Sequence, residues 1–203
     1  NKFTPLSGNL YFFVLIIFLF YAYEPILIIA FSFFILLGVS SDLKIIVSPK
    51  LRLVFQLLIL LFFISFTPNI VIDTRINWLN DIMQNFVLKI FIISFFFLVL
   101  INGFNFIDGV NNLSCLNFLI ILIFIYLMLE GNDPLLLRNK ILILILSMTV
   151  FTIYNSFGKN FMGDGAIYGV SFLVGYILVK LSSLNYSVSP YFIANLLWYP
   201  AFE

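Results

Sequence analysis

Three short polar segments, each with an aspartate, lie between apolar runs of this chain. They read "SSDLKIIVSPKLR" around Asp42, "NFIDGVNN" around Asp108 and "FMGDGAIYG" around Asp164. A carboxylate can exchange a proton, hold a divalent cation or, beside amides, bind the hydroxyls of sugars and nucleotides. The three segments are therefore the candidate sites for chemistry in this chain.

The asparagines around Asp108 add a second feature to its segment. If the preceding helix continues through the segment, Asn105, Asp108 and Asn112 lie on one helix face. Gly103 and Gly109 would then let a ligand approach the backbone. The alternative is a polar turn in which Asn and Gly supply unusual backbone dihedral angles.

The other two aspartates suggest a site for an anion and its cation. Asp164 lies between glycines at the start of an apolar run, where free backbone donors and the helix dipole favour phosphate. An equal alternative is that Asp164 is a helix N-cap. Asp42 is followed by Lys44, Lys50 and Arg52, a pattern that suits an anionic ligand, although such loops more often anchor membrane topology.

The elements that must position these residues are membrane-spanning helices. The chain of 203 residues is 63% hydrophobic and 9% charged, with a mean hydropathy of +1.17, which exceeds that of ordinary soluble domains. Eight stretches of 15 to 22 residues carry no charged side chain, and about 20 helical residues cross the hydrocarbon core of a bilayer. We expect an all-α polytopic membrane protein with about eight transmembrane helices, forming one domain over residues 1–203.

Alternation of the spans predicts that the three polar segments meet. If every span crosses, the connections at 40–52, 102–112 and 155–164 lie on the same side of the membrane. Lysine and arginine divide five against five between the two sides, so charge does not set the orientation.

Composition also excludes several classes of function. A net charge of +1 gives no basic surface for nucleic acid, and the absence of histidine excludes a histidine-built metal site or catalytic triad. The single Cys115 excludes an intrachain disulfide. The chain begins without Met and stops within or just after an apolar run, so we expect a fragment at both ends.

The polar segments resemble a known family. "GVSSDLKIIVSPKLRLVFQ", "NGFNFIDGVNNLS" and "YNSFGKNFMGDGAIY" are similar, in order and spacing, to the signature segments of the polyprenyl-phosphate N-acetylhexosamine-1-phosphate transferases, or glycosyltransferase family 4. "TPLSGN" resembles the family's Pro/Gly-rich segment, and "SPYFIANLLWYPAFE" resembles a late helix. The resemblance covers essentially the whole chain.

The resemblance implies an activity, its partners and a location. The activity is transfer of a sugar 1-phosphate from a UDP-sugar to polyprenyl phosphate, usually undecaprenyl phosphate, with release of UMP and dependence on Mg²⁺ or Mn²⁺. It implies an integral protein of the bacterial inner membrane whose active site faces the cytoplasm and which initiates cell-envelope polysaccharide synthesis. The expected partners are the UDP-sugar donor, the lipid acceptor and membrane lipids, and a homodimer is left open.

The resemblance also implies roles for particular side chains. Asp42 and Asp108 become catalytic carboxylates, and Asp164 becomes the metal ligand. The substrate-binding candidates carry amide or ammonium groups: Asn105, Asn111, Asn155, Lys44 and Lys159. The two lysines are chosen for their charge alone.

Departures from the family pattern keep other functions open. The family has adjacent aspartates at the position of Ser41 and Asp42, and Asn111 stands where its Asp-Gly-x-Asp-Gly pattern has a second aspartate. A degenerate member acting as a membrane scaffold is therefore one alternative. An ion-coupled transporter is less favoured, because the carboxylates lie at span ends and no internal repeat is present. We expect an enzyme in which Asp42 alone supplies the carboxylate of its segment.

Overall fold

The computed structural model describes residues 8–20, 24–67, 74–108, 112–129, 135–184 and 188–202. These segments contain helices and no strand, which confirms the all-α expectation. The helices are α1 (Gly8–Phe20), α2 (Pro25–Asp42), α3 (Pro49–Phe66), α4 (Asn77–Gln84), α5 (Phe86–Ile107), α6 (Leu113–Met128), α7 (Leu135–Ser156), α8 (Gly163–Leu184), α9 (Pro190–Leu196) and α10 (Trp198–Phe202).

Among the described residues, five helices are long and apolar enough to cross a membrane: α2, α3, α5, α7 and α8. α1 and α6 are apolar but shorter. The expected number of about eight spans is thus not confirmed. In the last charge-free stretch, 181–202, the described residues form the end of α8 and the short helices α9 and α10 instead of one span.

Proline and asparagine set several of the helix boundaries. Pro25, Pro49 and Pro190 occupy the first turns of α2, α3 and α9, where the missing proline N–H costs no hydrogen bond. Asn85 separates α4 from α5, and its side chain accepts from the N–H of Val87 at 3.0 Å. The connection between α3 and α5 therefore contains a helix of its own, α4.

Helix α8 is the central element of the bundle. In the apolar stretch of α8, 78% of the residues are buried, whereas 22 to 39% are buried in the corresponding stretches of the other candidate spans. The ring of Phe172 in α8 lies 4.9 Å from Phe34 in α2, 4.9 Å from Phe63 in α3 and 5.7 Å from Phe97 in α5. Aromatic contacts with three different helices fix α8 between them.

Small residues let the ends of three helices meet at one end of the bundle. A Cβ on Gly38 of α2 would lie 2.2 Å from Cα of Gly165 in α8, and a Cβ on Gly8 of α1 would lie 2.5 Å from the carbonyl oxygen of Met162. Such close backbone approach is characteristic of glycine-mediated helix packing in membranes. It places the C-terminus of α2 and the N-terminus of α1 against the N-terminus of α8.

Candidate active site

Asp42, at the end of α2, caps the N-terminus of α8. Its Oδ1 accepts from the backbone N–H of Asp164 at 3.2 Å, and its Oδ2 accepts from Nδ2 of Asn9 at 3.0 Å. Oδ1 of the same Asn9 accepts from the backbone N–H of Ala166 at 2.6 Å. Side chains of α1 and α2 therefore occupy two donors at the start of α8.

This arrangement corrects the expectation that free donors of α8 bind phosphate. α8 begins at Gly163, so Asp164 lies in its first turn and is not its N-cap. Gly163 has a φ of +77°, and a Cβ there would lie 2.9 Å from Oδ2 of Asp42. Only glycine combines this left-handed backbone with so close an approach by a carboxylate.

Asp164 is held by a hydroxyl and a guanidinium. Its Oδ2 accepts from Oγ of Ser41 at 2.6 Å and from Nη1 of Arg52 at 3.3 Å. Nη1 of Arg52 also donates to Oγ of Ser41 at 2.8 Å and lies 3.5 Å from the hydroxyl of Tyr168. An aspartate in place of Ser41 would set two carboxylates against each other, so the serine removes a like-charge contact.

Asp108 is the third carboxylate of the cluster and is partly buried. It follows the last residue of α5 and accepts a hydrogen bond from the hydroxyl of Ser114 in α6. The pKa of Asp108 is raised from 3.8 to about 6, mainly by burial and also by the charges of Asp164 and Asp42, while the hydrogen bond from Ser114 opposes the rise. The three aspartates predicted from separate segments thus lie within electrostatic reach of one another.

The helix does not continue from Asp108 to Asn112, contrary to expectation. α5 ends at Ile107, and Asn112, with a left-handed φ of +67°, precedes the first residue of α6. The amide of Asn112 donates to Oγ of Ser156. Asn105, Asp108 and Asn112 therefore do not share one helix face, and residues 109–111 lie outside the described residues.

The predicted asparagines occupy different environments. Asn105 is half-buried in the last turn of α5. Asn155 is buried at the end of α7, with Nδ2 at 3.9 Å from Sγ of Cys115. Its Oδ1 is buried and has no hydrogen-bond partner among the described residues. Asn111 lies outside the described residues.

The predicted lysines are not in the carboxylate cluster. Lys44 is exposed in the turn after α2, with a φ of +59°. Lys159 is exposed between α7 and α8, and its Nζ lies 5.7 Å from the ring of Phe157. Neither lysine forms an ion pair with a residue that the structure describes. The arginine that enters the cluster is Arg52.

The donor set fits a divalent cation that is shared with a phosphate. Within the described part of the chain, no group of three acidic, histidine or cysteine side chains could hold a metal ion as a cage. Mg²⁺ is usually held by one or two carboxylates, with water and substrate phosphates completing its coordination. Oδ1 of Asp164 accepts no hydrogen bond from a described residue, and Asp42 and Asp108 add negative charge around it.

Sequence reasoning missed two members of the cluster, Asn9 and the ion-pair partner Arg52. The sequence marks Arg52 as a candidate, because it follows Asp42 in a basic segment suited to an anion. Nothing in the sequence predicts its ion pair with Asp164. Asn9 lies in an apolar run, 33 residues before Asp42 and 157 before Ala166. No local pattern connects it with either partner.

Comparison with protein families gives one match. The family model described as "Glycosyl transferase family 4" matches residues 25–182, most of the chain. The chain belongs to this family. No curated protein and no solved structure matches it.

Membership in glycosyl transferase family 4 identifies the general chemistry of the cluster. The family comprises membrane enzymes that transfer a sugar phosphate to a polyprenyl phosphate. The family match includes Asp42, Arg52, Asp108 and Asp164 but begins after Asn9. This family 4 protein therefore completes its carboxylate cluster with a residue outside the matched region.

Proposed function

We propose that the protein transfers N-acetylhexosamine 1-phosphate from a UDP-sugar to undecaprenyl phosphate, releases UMP, and does so with Mg²⁺ or Mn²⁺. The observation that carries the proposal is the convergence of Asp42, Asp108 and Asp164, from three separate segments, beside Arg52. Within glycosyl transferase family 4, such a cluster at helix ends suits a reaction between a soluble donor and a lipid acceptor. Nucleotide sugars are cytoplasmic, so the cluster would face the cytoplasm of a bacterial inner membrane.

The reaction exchanges one phosphorus–oxygen bond for another. A phosphate oxygen of the lipid forms a bond to the phosphorus that carries the sugar, and the bond from that phosphorus to the oxygen of UMP breaks. UMP leaves with the electron pair. Because charge accumulates on phosphate oxygens, catalysis depends on positioning and on positive charge near them.

Asp164, with Asp42 and Asp108 nearby, would hold the cation against the donor phosphates. The bound cation would screen the negative charges of the two phosphates as they approach. Arg52 neutralises Asp164 in this structure, with 3.3 Å between Nη1 and Oδ2. The three aspartates outnumber the single arginine, so the cluster keeps an excess of negative charge that attracts a cation.

Asp42 and Asp108 are suited to different tasks. Both oxygens of Asp42 accept hydrogen bonds, from Asn9 and from the backbone of Asp164, so Asp42 is fixed in orientation. Asp108, whose pKa is raised to about 6, matches the second pKa of a phosphate monoester, which is about 6. Asp108 can therefore take the last proton of the acceptor phosphate before attack.

The reaction does not depend on a second carboxylate at position 41, where the family has aspartate and this chain has Ser41. The acceptor phosphate is already largely anionic near neutral pH, so it needs orientation more than a strong base. The hydroxyl of Ser41 donates to Asp164 at 2.6 Å and keeps that carboxylate oriented. We expect Ser41→Asp to leave product formation similar or to raise it, because Arg52, which donates to Ser41 at 2.8 Å, can pair with the new carboxylate and offset its repulsion of Asp164.

The test is transfer of radiolabelled sugar into lipid by the purified protein, with a panel of UDP-sugars and with Mg²⁺ or Mn²⁺. We expect Asp164→Asn to lower UMP release at least about 100-fold, because the amide loses the charge that holds a hard cation. Asp81→Asn is the matched control, since Asp81 lies exposed in α4, on the connection opposite the cluster.

Two results would overturn the proposal. Full activity of Asp164→Asn across a Mg²⁺ titration would place the cation elsewhere. Absence of product from every UDP-sugar with the wild-type protein, while the donor still binds, would favour the scaffold function.

A further inference from the structure

We propose that Asn9 of α1 is a positioning residue of the reaction, which fixes the carboxylate of Asp42 relative to Asp164. The inference rests on the proposed function and assigns a role to a helix that precedes the family match, which begins at residue 25. The cluster of aspartates is then incomplete without α1.

The hydrogen bonds of Asn9 determine the orientation of its side chain. Nδ2 donates to Oδ2 of Asp42 at 3.0 Å, and Oδ1 accepts from the N–H of Ala166 at 2.6 Å. The reverse orientation would set the amide oxygen against a carboxylate oxygen and the amide NH₂ against an N–H. Only one orientation satisfies both neighbours.

Glycines at positions 163 and 165 leave the space that the amide of Asn9 occupies. A Cβ on Gly163 would lie 3.0 Å from Nδ2 of Asn9, and a Cβ on Gly165 would lie 2.8 Å from its Oδ1. The two glycines that flank Asp164 therefore leave room for Asn9 as well as for the turn of α8. Asn9 itself is 9% exposed, so its amide is buried among these partners.

Packing of α1 alone does not explain an asparagine at this position. Apolar side chains already pack the buried face of α1 against the bundle. One of them is Phe12, whose ring lies 5.2 Å from that of Phe151. Burial of an amide costs free energy unless its hydrogen bonds are made. Both bonds of Asn9 are made at the cluster, one to Asp42 and one to the backbone that follows Asp164.

The consequence for the reaction concerns the freedom of Asp42. One oxygen of its carboxylate is fixed by the N–H of Asp164 and the other by Asn9. Without the amide of Asn9, only backbone N–H groups of Asp164 and Gly165 orient the carboxylate, whose terminal torsion has broad preferences. The geometry between Asp42 and Asp164 would then no longer be set when the phosphates bind.

The test compares Asn9→Asp and Asn9→Ala with a matched control. Asn9→Asp keeps the acceptor for Ala166 but replaces the donor to Asp42 with a like charge, and Asn9→Ala removes both bonds. Asn117→Asp is the control, because Asn117 of α6 donates only to Leu113 of its own helix, at 3.0 Å. We expect kcat to fall at least about tenfold in both Asn9 variants, with KM for the UDP-sugar changed less than about threefold.

A second measurement tests the contact without turnover. Apparent melting temperatures of wild type, Asn9→Asp, Asp42→Asn and the double variant form a double-mutant cycle. We expect Asn9→Asp to lower the melting temperature when it is introduced into the wild-type protein but not when it is introduced into Asp42→Asn. In the double variant, the amide at position 42 can donate to the carboxylate at position 9. Mn²⁺ affinity, measured by electron paramagnetic resonance, should weaken at least about fivefold in Asn9→Ala, which removes both hydrogen bonds without adding a charge to the cluster.

Each outcome is decisive. A kcat within about twofold of wild type, or a loss no larger than that of Asn117→Asp, overturns the positioning role. If wild type forms no product from any UDP-sugar, the proposed function fails, and the melting cycle together with Mn²⁺ affinity decides on Asn9. Additive melting temperatures, or a Mn²⁺ affinity of Asn9→Ala equal to that of wild type, would overturn the inference in that case.

Discussion

At the scale of single residues, Asp108 shows a conflict between stability and function. Its pKa of about 6 in the folded protein, against an ordinary value of 3.8, means that folding favours the protonated form. Its contribution to stability is complete below pH 3.8 and is lost as the pH rises through 6. At neutral pH the ionised carboxylate therefore destabilises the fold, while the proposed reaction uses this ionised form.

We predict that Asp108→Asn raises the apparent melting temperature at pH 7.5 by about 2 to 5 °C, because a neutral amide avoids the cost of a buried charge. The same variant should lose most of its turnover. Melting of both proteins in EDTA measures the first effect, and it should disappear at about pH 4, where Asp108 is neutral in wild type. Asp81→Asn, at an exposed position, should show no such gain. A lower melting temperature of Asp108→Asn at pH 7.5 would contradict the prediction.

At the scale of elements, the site depends on how closely α2 approaches α8. The C-terminus of α2 carries Asp42, which must reach the first turn of α8 to accept from Asp164. Gly38 and Gly165 make this approach possible, since a Cβ on Gly38 would lie 2.2 Å from the backbone of α8. Separation of the two helices would break the interhelical cap and the cluster together.

We predict that Gly38→Ala destabilises the protein by about 2 to 3 kcal/mol, because the added methyl group meets backbone that cannot move aside. Melting in detergent measures the loss, and transfer activity should fall with it. Ser32→Ala in the same helix is the control, since its hydroxyl bonds only to the carbonyl oxygen of Ile28 in the preceding turn, at 2.7 Å. Equal stability of Gly38→Ala and Ser32→Ala would show that α2 and α8 are farther apart than the structure has them.

At the scale of the whole molecule, the helix ends divide into two groups. Asp42, Asp108 and Asp164 lie at the ends of α2, α5 and α8 that meet. At the other ends of α2 and α8, Glu24 pairs with Lys180. The carboxylate cluster and the ion pair of Glu24 with Lys180 therefore lie at opposite ends of α2 and α8.

We predict that the connections after α2 and α7 are reachable from one side of the membrane and α4 from the other. In a Cys115→Ser background, a membrane-impermeant maleimide should label Lys44→Cys and Lys159→Cys from the same side and Asp81→Cys from the opposite side. All three native positions are exposed, and the native Cys115 is buried. Labelling of Asp81→Cys from the same side as Lys44→Cys would overturn the topology. Labelling of Lys44→Cys only from the cytoplasm would support the proposed orientation.

The sequence by itself determined the class of the protein and singled out the three aspartates that the fold brings together. Charged side chains are so costly within a bilayer that the few present had to lie at helix ends or in a site. Asp42, Asp108 and Asp164 could therefore be identified from their segments, and the family match later covered all three. The number of spans could not be read in the same way, because an uncharged stretch such as 181–202 need not form one helix.

Only the tertiary structure decided which side chains complete the site. Arg52 and Asp164 are 112 residues apart, and Asn9 and Ala166 are 157 residues apart, yet each pair is in contact. Hydrophobic periodicity and local motifs report on neighbours within a helix or turn and do not specify which helices pack together. The glycine contacts of α8 set that packing, and they bring an amide of α1 and a guanidinium of α3 to carboxylates that the sequence shows only separately.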